Sequence, residues 1–123
     1  MTDVIRKSVK KQINNFDFTC DKELTLSMFS GKYKMAILVI LYNQKQMHFS
    51  ELQNNIPEST KQVLSQQLKE LIQDNLITKS EYHDNNKRRT IYTLNSVGAS
   101  LIPLFVDMQN WGKNYIDKNF SDN

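Results

Sequence analysis

Apolar positions recur at helical steps through most of the chain, and one segment breaks that period. Over residues 59–75 (STKQVLSQQLKELIQDN), Val63, Leu64, Leu68, Leu71 and Ile72 recur at steps of three and four and form one stripe. Lys61, Gln62, Ser65, Gln66 and Lys69 lie off that stripe and none is acidic; Glu70 and Asp74 follow near the C-terminal end. Just upstream, Phe49, Leu52 and Ile56 make the inner face of a short helix over 50–55. Ser50 is its expected N-cap, with Glu51 and Gln53 in the first turn. Pro57 stops it, because the residue before a proline is pushed out of helical geometry. Ser59 or Thr60 then caps the longer helix. A short helix, a tight turn and a longer helix with a polar front make a helix-turn-helix pattern over 50–75.

The flanks extend the pattern. Thr19 or Cys20 opens an earlier helical stretch carrying Leu24, Leu26, Met28 and Phe29. Ser30-Gly31 breaks it, since glycine readily takes the left-handed conformation that ends a helix. Residues 32–42 (KYKMAILVILY) are apolar almost all round in their second half and should form the most buried helix. Met47-His48-Phe49 reads as a short extended piece, a candidate strand of a small sheet. After Asn75 the period becomes two: residues 76–82 and 89–94 read as strands, with Asn85-Asn86 as a hairpin turn, since Asn tolerates positive φ. Asn95 or Ser96 caps a last helix over 95–118, which Pro103 should kink. Its apolar seam runs Leu94, Val97, Leu101, Leu104, Met108, Trp111, Tyr115. So long a seam exceeds what a small core absorbs, so Leu101, Leu104, Met108, Trp111 and Tyr115 are expected at a symmetric dimer interface. Residues 1–18 form a basic extension, with Arg6, Lys7, Lys10 and Lys11 beside Ile5, Val9, Ile13 and Phe16. It reads as an amphipathic helix for a DNA backbone or a partner subunit, or as a frayed tail. The expected fold is mainly α (α+β): one winged helix-turn-helix domain over 1–123, with a two-stranded wing over 76–94 and N- and C-terminal dimerisation helices.

Composition narrows the chemistry. A chain of 123 residues fits one core, and its net charge of +3 permits a polyanionic partner without requiring one. Long amide, hydroxyl and ammonium side chains suit a major groove: Lys61, Gln62, Ser65 and Gln66 are candidates for reading bases. Lys87, Arg88 and Arg89 crowd the hairpin tip against Asp84 and either hold DNA phosphates or protect a sheet edge. Lys69 is a further phosphate candidate. His48 and His83 lack metal-ligand spacing, and three glycines make no phosphate loop, so neither metal, cofactor nor enzyme is expected. The one cysteine, the absence of a signal-like N-terminus and the shortness of the apolar run at 35–41 point to a cytoplasmic protein without a membrane partner. Two other functions fit the same pattern: a winged-helix module that binds protein, and a thiol redox enzyme.

Several pieces together resemble the HxlR-type winged-helix transcription regulators, relatives of the MarR group. They are the Cys20 position, Ser30-Gly31-Lys32-Tyr33-Lys34, Phe49-Ser50-Glu51-Leu52, Ile56-Pro57, the run from Val63 to Leu71, Asn75-Leu76-Ile77, Tyr92-Thr93-Leu94, Gly98 and Trp111-Gly112. The resemblance implies a homodimer on a double-stranded DNA operator with dyad symmetry, the helix from Ser59 in the major groove, and the 87–89 tip along the minor groove or backbone. It implies that Lys32 lies near a phosphate. It also implies an oxidant or electrophile signal sensed through Cys20; a small-molecule ligand is the other candidate signal. Local sequence leaves Cys20 open: a helix start and Lys22 favour thiolate, while Asp17, Asp21 and Glu23 disfavour it, and an inert packed thiol is the alternative. The sequence departs from the family at Asn85-Asn86-Lys87, where proline is common, and in its longer basic extension.

Overall fold

A computed structural model describes residues 21–120. The basic extension and the helix start at Thr19 or Cys20 lie outside the described residues. Helix α1 spans Asp21–Phe29 and α2 spans Lys34–Gln44. Between them the expected role of glycine changes. Among the described residues no glycine has positive φ; Tyr33, at the N-cap of α2, takes it instead at 70°. Gly31 is needed for space, because a Cβ there would lie 2.5 Å from Gln67 Oε1 and 2.7 Å from Lys34 Cε. Helix α2 buries Ile37, Leu38 and Leu41 completely, while Val39 and Tyr42 reach solvent, so its apolar wrap is one-sided.

Strand β1 (Gln46–His48) leads directly into α3 (Phe49–Asn55). This corrects the expected cap: His48, not Ser50, precedes the helix, and the Glu51 carboxylate accepts from the His48 N–H at 2.8 Å. Ser50 lies inside the helix and exposed. Pro57 does end this segment, and Thr60 caps α4 (Lys61–Gln73) by accepting from the Val63 N–H at 3.1 Å. Beyond the end of α4 at Gln73, Asn75 takes a positive φ of 62°, which lets the Leu76 N–H return to the Leu71 carbonyl.

Strands β2 (Ile77–Asp84) and β3 (Lys87–Leu94) pair antiparallel around Asn85-Asn86. Both turn residues take positive φ, 52° and 65°, the geometry of a two-residue type I′ turn. The sheet is three-stranded, ordered β1-β3-β2, with Met47 opposite Tyr92. The wing therefore roots in the helix-turn-helix through β1 and is not a free two-stranded hairpin.

The last helical segment also departs from expectation. Asn95 caps only the short α5 (Ser96–Ala99), accepting from the Gly98 N–H at 2.8 Å. Helix α6 (Ile102–Phe120) follows separately. Pro103 therefore kinks nothing: it occupies the first turn, where no backbone donor is required. From α6 it is Phe105, off the expected seam, that enters the core, its ring meeting Phe29 edge-on at 5.0 Å. The core joins that pair to Leu52, Ile56, Leu64, Leu68, Leu71 and Ile77.

Candidate nucleic-acid interface

Leu64, Leu68 and Leu71 anchor one side of α4 so fully that its opposite side must face outward. Lys61, Gln62, Ser65, Gln66 and Lys69 are all exposed there, on one rigid helix. Glu70 borders this surface, but its charge is offset. The Lys34 ammonium from α2 lies 2.5 Å from Glu70 Oε1, and the Lys34 side chain is 1% exposed. The other carboxylate oxygen accepts from Gln66 Nε2 at 2.9 Å. The sequence reading missed this pair. Its signal was a lysine in phase with the buried Ile37, Leu38 and Leu41 of α2.

Lys32 lies in the turn before α2, exposed, with its ammonium 5.3 Å from the Tyr33 ring centre. The Tyr33 hydroxyl donates to the Glu58 carbonyl at 3.4 Å, so this turn sits beside the one leading into α4. Lys32 thus precedes its helix instead of starting it.

On the wing, Lys87, Arg88 and Arg89 are exposed, and Lys87 stands opposite Asp84 in the register. The expectation that the tip faces only Asp84 is corrected by Glu81, whose carboxylate accepts a hydrogen bond from Arg88 Nε. That hydrogen bond holds Glu81 below the usual carboxylate range and raises Arg88 further. Strand β2 adds Lys79, which the sequence reading passed over. With Ser65 and Lys69 of α4 it rims a cleft of about 410 Å³, floored by Leu68, Ile72 and Tyr92. Burial there pushes the Tyr92 phenol up, with Glu81 a second cause.

His48 is not a plain surface histidine. Its Nδ1 lies 3.0 Å from the Thr90 carbonyl, and its Nε2 lies 3.4 Å from the Tyr82 hydroxyl. It ties the start of α3 to both wing strands. His83 is exposed, and among the described residues no cluster of His, Cys, Asp and Glu could hold a metal. No single helix among them is long and apolar enough to cross a membrane.

Along α6, Leu104, Met108, Trp111 and Tyr115 are exposed, while Leu101, in the turn just before it, is half-buried. Trp111 and Tyr115 stack at 5.3 Å between ring centres, and Ile116 and Phe120 lengthen the apolar face. Cys20 lies outside the described residues.

The chain is 43% identical over 90 residues to the HTH-type transcriptional regulator YdzF of Bacillus subtilis, covering 73% of this chain and 82% of that one. Its fold is similar to the redox regulator HypR in its reduced form, with a TM-score of 0.71 and 26% identity, over 81% of this chain and 95% of that one. It is similar to the reduced form of the transcriptional regulator YodB of B. subtilis at a TM-score of 0.70 and 26% identity, over 85% and 97%. The described helices and three-stranded sheet form a winged helix, mainly α with a β wing, and residues 28–120 match the HxlR-like helix-turn-helix family as a whole. The chain therefore belongs to the HxlR-like helix-turn-helix family of transcriptional regulators.

Proposed function

We propose that this regulator binds a dyad-symmetric DNA operator as a homodimer and reads it with α4. The observation that carries the reading is the exposed, acid-free run Lys61, Gln62, Ser65, Gln66 and Lys69 on a helix whose reverse side is buried. Lys61, Gln62, Ser65 and Gln66 contact base edges; Lys32, Lys69, Lys87, Arg88 and Arg89 hold phosphates. The seam of Leu101, Leu104, Met108, Trp111 and Tyr115 pairs two copies, setting their α4 helices about 34–36 Å apart, one turn of DNA. The working unit is a single domain, with residues 1–18 as a basic extension.

Cys20 supplies the switch in this reading. HypR is known in reduced and oxidised forms, and YodB in reduced, diamide-treated and quinone-bound forms. With one cysteine per chain, the chemistry is a Cys20–Cys20′ disulfide across the dimer, a mixed disulfide with a small thiol, or an electrophile adduct. Selection from random duplexes with the reduced protein, over a range of salt, tests the DNA reading. An enriched dyad site with steep salt dependence is expected; weak binding without sequence preference overturns it. Oxidant release from that site by wild type but not by Cys20→Ser tests the switch, and equal release from both overturns it.

A further inference from the structure

Gln66 is exposed on α4, and its amide is oriented by a hydrogen bond within the helix. Its nitrogen donates to Glu70 Oε2 at 2.9 Å. A carboxylate only accepts, so the nitrogen must face Glu70 and the carbonyl oxygen, at the other end of the planar amide, faces away. Glu70 is itself held by Lys34 Nζ, 2.5 Å from Oε1. Lys34 is buried in α2, so this chain starts from a fixed point in the core.

We infer that Lys34 and Glu70 set the base preference of Gln66, locking its amide so that it offers an acceptor to the major groove. The inference rests on the reading of α4 as the DNA-reading helix. An unrestrained glutamine is ambivalent, because flipping the amide exchanges donor and acceptor. A locked acceptor favours bases that present an amino group in the major groove, adenine through N6 and cytosine through N4. It disfavours guanine and thymine, which present O6 and O4. Locking also removes the entropy loss of ordering the side chain on binding. Lys34 and Glu70 are positioning residues: neither needs to touch DNA. Lys34 also offsets an acid that would otherwise stand beside a polyanion.

The decisive variant is Glu70→Gln. Lys34 can only donate, so it takes the oxygen of the new amide and leaves that amide's nitrogen facing Gln66. Gln66 must then turn its own oxygen inward and its nitrogen outward. Full-length wild type, Gln66→Ala and Glu70→Gln are compared by selection from random duplexes and by competition binding at each position of the site. Wild type is expected to prefer adenine or cytosine at one position of each half-site, and Gln66→Ala to flatten that position to less than about twofold. Glu70→Gln is expected to invert it toward guanine or thymine, with the other positions unchanged. A purely structural role would weaken all positions together. Because Glu70→Gln leaves a buried ammonium beside a neutral group, Lys34→Met/Glu70→Leu serves as a second variant: an apolar pair often replaces a buried ion pair without loss of the fold. It should flatten the same position that Gln66→Ala flattens. Wild-type preference retained at that position in both Glu70 variants overturns the inference, as does a wild-type preference there for guanine or thymine. If wild type enriches no site at all, the DNA reading itself falls, and this inference with it.

Discussion

Gly98 shows two residue-scale effects pulling in opposite directions. It sits in α5, where alanine is a better helix former by about 1 kcal/mol. A Cβ there would lie 2.2 Å from the Leu76 backbone carbonyl, which cannot swing aside. That carbonyl accepts the Asn95 N–H at 3.2 Å and belongs to the segment where α4 passes into β2. Overpacking should win, so Gly98→Ala is expected to lose about 2 kcal/mol in denaturant unfolding. Glu81 gives a second residue-scale prediction. Its carboxyl is depressed by the Arg88 hydrogen bond, so the pair is fully formed above the usual carboxylate range and is lost as pH falls through the lowered value. In Arg88→Ala the Glu81 midpoint should rise toward 4.5, read by carboxyl carbon NMR. The pair is exposed, so global stability should barely follow. Glu81→Gln releases Arg88 and should steepen the salt dependence of DNA binding, by about 0.9 in logarithmic slope if Arg88 then meets one more phosphate.

At the scale of elements, similar local signals had different outcomes. Thr60 and Ser50 both read as caps, but only Thr60 acts as one. The chain enters α3 straight from β1, whose pairing with β3 commits Gln46–His48 to extended geometry and moves the helix start to Phe49. Pro103 likewise reads as a kink only if 95–118 is one helix; with α5 and α6 separate, it lies in a first turn. The two substitutions should therefore separate cleanly in thermal unfolding. Thr60→Ala loses about 1 kcal/mol through an unsatisfied N–H. Pro103→Ala changes stability by less than about 0.5 kcal/mol, since no backbone bond was missing.

For the whole molecule, α6 carries most of the exposed large apolar side chains among the described residues. Phe105 turns into the core and so fixes which side of α6 faces away, carrying Leu104, Met108, Trp111 and Tyr115 outward. On the homodimer reading, Met108→Asp places a charge at the centre of that face. It should shift sedimentation from dimer to monomer while the isolated fold keeps its helix content. Operator affinity should fall by a large factor, because two half-sites would no longer be bound as one event. A variant that stays dimeric would remove α6 from the interface.

The pattern of apolar steps located the helix-turn-helix and the two wing strands, because each follows from neighbours within a few residues, while the family likeness rested on motif pieces spread from Cys20 to Gly112. Asn85-Asn86 needed only their tolerance of positive φ, and Thr60 only a side-chain oxygen at the helix start. Where the outcome hung on partners distant in sequence, local pattern was silent. Lys34 and Glu70 are 36 residues apart, and nothing along the chain marks Lys34 as buried beyond its phase with Ile37 and Leu41. Glu81 meets Arg88 only through the cross-strand register, and His48 joins the wing only because β1 pairs with β3. Gly31 looked like conformational punctuation and proved to be a point of close approach, as Gly98 is in α5. Side-chain chemistry is written in the sequence, but which groups share a buried charge, a hydrogen bond or a free surface is decided by the packing that brings them together.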